Sequence, residues 1–151
     1  MTDVLGLDAN VVIKLLVQEA PLELTAAARR LYTRVEWDTA TLVAPAFAWA
    51  EVGSTLRKKV RTRELTANEA GEGWQEFLGM PIVFLDTPQI RARSWEIADR
   101  YNLPTLYDAA YLACTELGDV EDPGQREFWT ADQRLLSHLG DLLHPYVRQL
   151  Q

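Results

Sequence analysis

Val4-Leu5-Gly6-Leu7-Asp8-Ala9-Asn10-Val11-Val12-Ile13 is the stretch on which the reading of the chain turns. A short apolar run arrives, a carboxylate and an amide interrupt it, and the apolar run resumes. Without the interruption it would be a single buried strand or helix. Asp8 and Asn10 prevent that, because burying either side chain costs free energy unless it finds partners. Two accounts are open at this point. In one, the stretch is a strand-to-helix turn, with Asp8 in the turn and Asn10 as N-cap of the next helix. In the other, Asp8 is a carboxylate at the C-terminal edge of a parallel sheet, where open α/β folds place their ligands.

Outward from this stretch, strand and helix signals alternate. Val4 to Leu7 predicts a strand, and Val12, Leu15 and Leu16 sit at helical spacing after Asp8. Pro21 opens a helix whose apolar stripe is Leu24, Ala28, Leu31 and Val35. Thr41 to Ala44 predicts a second strand, and Pro45 is expected to start the following helix. That helix carries Phe47, Glu51, Ser54 and Lys58 on one side and ends in a basic run, Arg57, Lys58, Lys59, Arg61 and Arg63. Thr66-Ala67-Asn68-Glu69 has the form of a capping box ahead of Ala70, Trp74, Phe77 and Leu78. Gly71 and Gly73 weaken this helix by roughly 1 kcal/mol each relative to alanine.

Ile82 to Leu85 is the plainest strand, and Thr87-Pro88 caps a helix with Ile90, Ser94, Ile97, Ala98 and Tyr101 inward. Asn102-Leu103-Pro104 stops it. Thr105 opens an apolar helix from Tyr107 to Leu117, ended by Gly118. An acidic loop, Asp119 to Gln125, precedes a fourth strand, Glu127 to Thr130. A short helix over 131–139 and an edge strand over 145–148 complete the chain. This alternation predicts a single α/β domain over 1–151, with a mostly parallel sheet of four to five strands covered on both faces.

Composition narrows the function. At 151 residues and 48% hydrophobic content, the chain can bury a sizeable core. No window approaches the ~20 apolar residues that span a bilayer, and no basic region precedes an apolar core as in a signal peptide. A single cysteine, Cys114, excludes an internal disulfide framework and suits a reducing cytoplasm. Set among Tyr111, Leu112 and Ala113, it reads as a small buried hydrophobe. The net charge of −7 argues against a protein that coats nucleic acid. It fits either an acidic surface or carboxylates gathered at one site for a cation.

Three further acids sit where a strand end or a buried face is expected. Glu51 follows the second strand, Asp108 interrupts an otherwise apolar helix, and Asp132 follows the fourth strand. Each has an ordinary explanation: a solvated helix acid, a Thr105-x-x-Asp108 capping box, and a first-turn acid at a helix N-terminus. Their joint placement says more. Asp8 and Asp132 follow strands directly, Asp108 lies in a first helical turn, and the Glu51 side chain tilts back toward its helix N-terminus. All four point to one sheet edge. A pair of carboxylates at about 4 Å repels by on the order of 4 kcal/mol at an effective dielectric of 20. Either some remain protonated, or a hard divalent cation sits between them. Oxygen-only ligands favour Mg²⁺ or Mn²⁺, and His138 and His144 lack ligand-like spacing and read as structural. A metal held this way suits phosphodiester hydrolysis.

Leu7-Asp8-Ala9-Asn10, Ala50-Glu51-Val52, Leu106-Tyr107-Asp108-Ala109-Ala110-Tyr111-Leu112-Ala113 and Trp129-Thr130-Ala131-Asp132 together resemble the ordered acidic motifs of PIN-domain ribonucleases. The nearest likeness is to VapC toxins of bacterial type II toxin–antitoxin pairs. The resemblance spans nearly the whole chain, and its most specific part is the Tyr-Asp-Ala-Ala-Tyr-Leu-Ala segment. It implies a PIN-like three-layer α/β/α sandwich and a Mg²⁺- or Mn²⁺-dependent endoribonuclease, with Asp8, Glu51, Asp108 and Asp132 around the metal. It further implies Asn10 and Thr130 as polar residues orienting those carboxylates, a homodimer, and inhibition by a cognate VapB-type antitoxin seated in a groove. The Asp119–Gln125 loop lies outside the motifs. Arg57 to Arg63 serve equally as a phosphate contact for RNA or as a solvated helix end. The five tryptophans are expected mostly in the core or at an interface. Two other functions stay in view: a non-catalytic PIN-type binding module, and a haloacid-dehalogenase-type phosphotransferase. The latter normally wants a second Asp where Asn10 stands.

Overall fold

The computed structural model describes residues 1–140 and 145–151. Five strands, β1 (Thr2–Leu7), β2 (Ala40–Pro45), β3 (Ile82–Leu85), β4 (Pro123–Thr130) and β5 (Val147–Gln149), form one parallel sheet. Their order is β3-β2-β1-β4-β5. Central strand β1 buries Val4, Leu5 and Leu7 almost completely, as a strand covered on both faces must. Leu5 pairs with Leu42 of β2 on one side and Glu127 of β4 on the other. The chain leaves β1 toward β2 and returns to its opposite flank at β4. That reversal creates a crevice at the carboxyl ends of β1 and β4, the place where such sheets accept ligands.

Helices α1 (Ala9–Leu16), α2 (Leu22–Glu36), α3 (Ala48–Arg61) and α4 (Ala67–Leu78) pack on one another as one layer. Helices α5 (Pro88–Arg100) and α6 (Tyr107–Leu117) form the other, with α6 against β1, β2 and β4. A short α7 (Gln133–Leu139) follows β4. The result is a three-layer α/β/α sandwich. Gly6 explains how α6 comes so close to the sheet. A Cβ there would collide with the Thr115 hydroxyl and press on Phe128. Gly73, which weakens α4 by propensity, earns its place by packing: a Cβ would stand 3.3 Å from a Val17 methyl carbon.

Most predicted elements are present, with displaced edges. Pro45 ends β2 and does not start a helix; α3 begins at Ala48. Its buried face is Ala48, Val52 and Leu56. Asn10 is not an N-cap but the second residue of α1, whose cap position is Asp8. Strand β4 starts at Pro123, so the acidic loop is shorter than expected. Leu78 is exposed on α4 while Gly73 is buried. The Thr66–Glu69 capping box and the Thr87 cap are both formed. Cys114 is buried, and burial pushes its thiol up to about 12. Of the tryptophans expected in the core or at an interface, Trp37, Trp49 and Trp95 are exposed and lie outside the core. His144 lies outside the described residues. Among the described residues, no helix is long and apolar enough to cross a membrane.

Candidate active site

Asp8 closes β1 and stands at the head of α1, only 6% exposed. Its Oδ2 accepts a hydrogen bond from the Thr130 hydroxyl at 2.7 Å. The same hydroxyl accepts one from the Asp132 backbone N–H at 3.0 Å. Thr130 is fully buried at the end of β4, so one threonine ties the termini of two neighbouring strands and orients both acids. Burial is the main cause that pushes the Asp8 carboxyl up to about 7. The charges on Asp108, Asp132 and Glu51 push the same way, and the Thr130 hydrogen bond opposes them.

Glu51 lies in the first turn of α3, nearer the helix start than Pro45 had implied. It is half-buried, and its Oε1 accepts a hydrogen bond from the Tyr111 hydroxyl at 3.1 Å. Burial raises its carboxyl above the ordinary range, and the Asp108 charge adds to this against the Tyr111 bond. Asp108 is the second residue of α6. The capping-box alternative for it is absent: Leu106 is the N-cap, with no side-chain cap bond. Burial and the Asp132 charge raise its carboxyl, while Arg134 and His138 on α7 pull it back. Asp132 does cap α7, its Oδ1 accepting from the Arg134 and Leu135 N–H groups at 2.9 and 3.4 Å.

The four acids therefore come from the end of β1, the starts of α3 and α6, and the β4–α7 junction. They converge on the crevice so that Asp8 feels the charge of all three others. Among the described residues no three of them form a ready-made ion cage. Donor chemistry is nonetheless right for a hard cation: all four offer carboxylate oxygens. Asn10, in the first turn of α1, adds a buried Oδ1 that has no hydrogen-bond partner. A buried acceptor left bare is uncommon and suits a cation or its bound water.

Tyr111 is the site residue that sequence reasoning passed over. Its signal was there: a tyrosine one turn beyond Asp108 on an apolar helix must find a partner for its hydroxyl. His138, read as structural, is exposed on α7 within electrostatic range of Asp108.

The family model for the PIN domain matches residues 6–141, so this chain belongs to the PIN-domain family. PIN domains are in general metal-dependent nucleases, which makes the crevice the candidate centre of a hydrolase acting on nucleic acid. No curated protein matches the chain significantly.

Proposed function

We propose that the chain is a Mg²⁺- or Mn²⁺-dependent endoribonuclease working as one PIN domain in the cytoplasm, the toxin of a VapC-type toxin–antitoxin pair. Asp8, Glu51, Asp108 and Asp132 would hold the metal. The observation that carries this reading is the convergence of four acids from four separate elements, with Asp8 sensing the other three. A divalent cation bound there polarises a phosphoryl oxygen and lowers the pKa of bound water.

The chain's own residues provide the frame. Thr130 holds Asp8 and the Asp132 backbone in fixed relation. Asp132 keeps Oδ1 on the α7 N–H groups. Asn10, two residues after Asp8 in the chain, has a buried Oδ1 without a hydrogen-bond partner. Arg134, 90% exposed in its side chain, stands at the rim as a contact for a phosphate of the substrate strand. Lys59 of the basic run is committed to Glu19 and Glu64, which leaves Arg57, Lys58 and Arg61 of α3 for an external partner.

Two partners follow from the same reading. A cavity of about 540 Å³ between α3 and α4, walled by Trp49, Leu56, Val60 and Trp74 and edged by Arg57 and Arg61, supports an antitoxin segment with apolar and acidic side chains. Exposed Val83 and Phe84 on edge strand β3, with Trp95, Leu106 and Tyr107, support a homodimer. Membership of the PIN family removes the phosphotransferase alternative.

The deciding experiment incubates purified protein with RNA, with and without Mn²⁺, beside Asp8→Asn. Metal-dependent cleavage confined to the wild type is expected. Cleavage by Asp8→Asn at the wild-type rate would sink the reading. Binding of RNA or protein without any cleavage would favour a non-catalytic PIN module. The toxin role is tested separately, by growth arrest on expression and its relief by the product of an adjacent small reading frame.

A further inference from the structure

Glu51 and Asp108 belong to helices in different layers of the sandwich, the first turn of α3 and the first turn of α6, and two carboxylates placed near each other repel. Glu51 is on the first turn of α3 and half-exposed, with water on one side of its carboxylate.

One donor stands against this. The Tyr111 hydroxyl reaches Glu51 Oε1 at 3.1 Å from a side chain that is only 3% exposed. Its ring is clamped between Phe47, edge-on at 6.1 Å, and Phe128, tilted at 6.2 Å. Phe47 is itself the residue at the head of α3, packed edge-on against Tyr107 at 5.4 Å. The aromatic cluster thus fixes the start of α3 against the start of α6. Tyr111 and Asp108 are three residues apart on α6 and lie on one face. Whatever moves Asp108 moves the donor that holds Glu51.

The geometry assigns Tyr111 the role of positioning residue for Glu51, locking the α3 acid at a set distance from the α6 acid through a rigid phenol. This rests on the nuclease reading for its purpose, but the contact itself does not depend on it. A phenol keeps its proton at neutral pH, so the Tyr111 hydroxyl is a donor to the Glu51 carboxylate there. Glu51 Oε1 is the oxygen so engaged, and Oε2 is the one left for a ligand.

Tyr111→Phe keeps the ring and its packing and removes only the donor. Three readouts apply to the full-length protein. In the metal-free state, the side-chain carboxyl ¹³C resonance of Glu51 is expected to shift. Mn²⁺ binding, followed by electron paramagnetic resonance, is expected to weaken about tenfold or more, as for losses of residues that orient metal ligands. In RNA cleavage, kcat is expected to fall by a similar factor with KM little changed. In a Glu51→Ala background, which removes the acceptor, Tyr111→Phe should add no further loss of Mn²⁺ affinity. An unmoved Glu51 resonance, wild-type Mn²⁺ affinity, or an equal added loss in the Glu51→Ala background would each overturn the assignment. Should the wild type bind no Mn²⁺ and cleave no RNA, the nuclease reading fails. The resonance of Glu51 then decides the Tyr111 contact alone.

Discussion

Strands β1 and β4 each carry carboxylates at two places, and the two places are treated in opposite ways. Near the start of β1, Asp3 and Glu127 share one guanidinium. Arg34 of α2 donates from Nη2 to Asp3 at 2.7 Å and from Nη1 to Glu127 at 2.6 Å. Trp129 Nε1 and the Gln125 N–H supply further donors at 3.0 and 2.8 Å. At the carboxyl ends of the same strands, Asp8 and Asp132 meet Glu51 and Asp108. Among the described residues that group's only ion pair is Arg134 to Asp132 at 3.7 Å, made by a side chain that is mostly in water. Neutralised carboxylates at one end brace the fold. At the other, negative charge is concentrated without a matching cation, which lowers stability and creates affinity for one.

Asp8→Asn is the sharpest way to break this contrast. Metal-dependent cleavage is expected to fall to background, while the apo protein becomes more stable. The sign follows from burial: the folded carboxyl sits at about 7 against 3.8 in the unfolded chain. Below pH 3.8 both states are protonated and the group is neutral to stability. Its destabilisation grows as pH rises from 3.8 toward 7 and is complete above that. Thermal melting at pH 8 should therefore show Asp8→Asn above the metal-free wild type, and the gap should close at pH 4. Mn²⁺ at a hundredfold excess over its Kd should stabilise the wild type by about 2.7 kcal/mol. Asp8→Asn should lose most of that gain. A lower melting temperature for Asp8→Asn at pH 8 would mean that this end is braced as well.

Arg34→Ala is the counterpart at the other end. It strands Asp3 and Glu127, which are only partly exposed, without their cation. Breaking a fully buried pair costs about 3–5 kcal/mol; partial exposure brings the expectation here to about 2 kcal/mol. In a chain of this size that is a fall of about 4–8 °C in Tm. Cleavage at a temperature where the variant is folded should be unchanged. Loss of activity in the folded variant would show that the two ends are coupled through β1 and β4.

What the sequence made legible divides along the same line. Alternating strands and helices, the interruption at Asp8 and the placement of four acids after strands or in first turns are all periodic or positional signals. They carried the α/β class and the PIN likeness. The errors came where tertiary contact overrides local preference. Pro45 resembles a helix-opening residue, but the N–H that proline lacks is not needed by the ladder at the end of β2, so the strand keeps it. Asn10 is a good cap by propensity, yet Asp8 holds the cap position because β1 ends at Leu7 and the helix starts at once. Tyr111 was invisible as a site residue because its partner, Glu51, is sixty residues away in sequence. Only the packing of α6 against the sheet brings them together.

Gly6→Ala tests that packing directly. The added methyl has no room beside Thr115 and Phe128, so α6 must shift outward from β1. Overpacking of this kind typically costs about 1–3 kcal/mol. Because α6 carries both Asp108 and Tyr111, cleavage and Mn²⁺ affinity should fall further than the loss of folded protein explains. A variant that is destabilised but fully active once folded would mean that the site absorbs movement of α6.

Thr66→Ala completes the series as the change with the smallest expected effect. The Thr66 hydroxyl accepts from the Glu69 N–H at 3.1 Å, and the Glu69 carboxylate accepts from the Thr66 N–H at 2.9 Å. These bonds are exposed and close the first turn of α4, away from both carboxylate groups. Loss of an N-cap costs about 1 kcal/mol, or a Tm lower by about 2–4 °C. The Thr66 backbone N–H, which the alanine variant keeps, is the main cause that holds the Glu69 carboxyl below its ordinary range, and the Thr66 side chain is the second. Losing the side chain alone should let that carboxyl titrate slightly higher, and the difference in Tm should narrow as Glu69 becomes protonated at low pH. Metal affinity and cleavage should not change, since α4 contributes none of the four acids. A change in either would place the α3–α4 hairpin, and the groove it forms, in mechanical contact with Glu51.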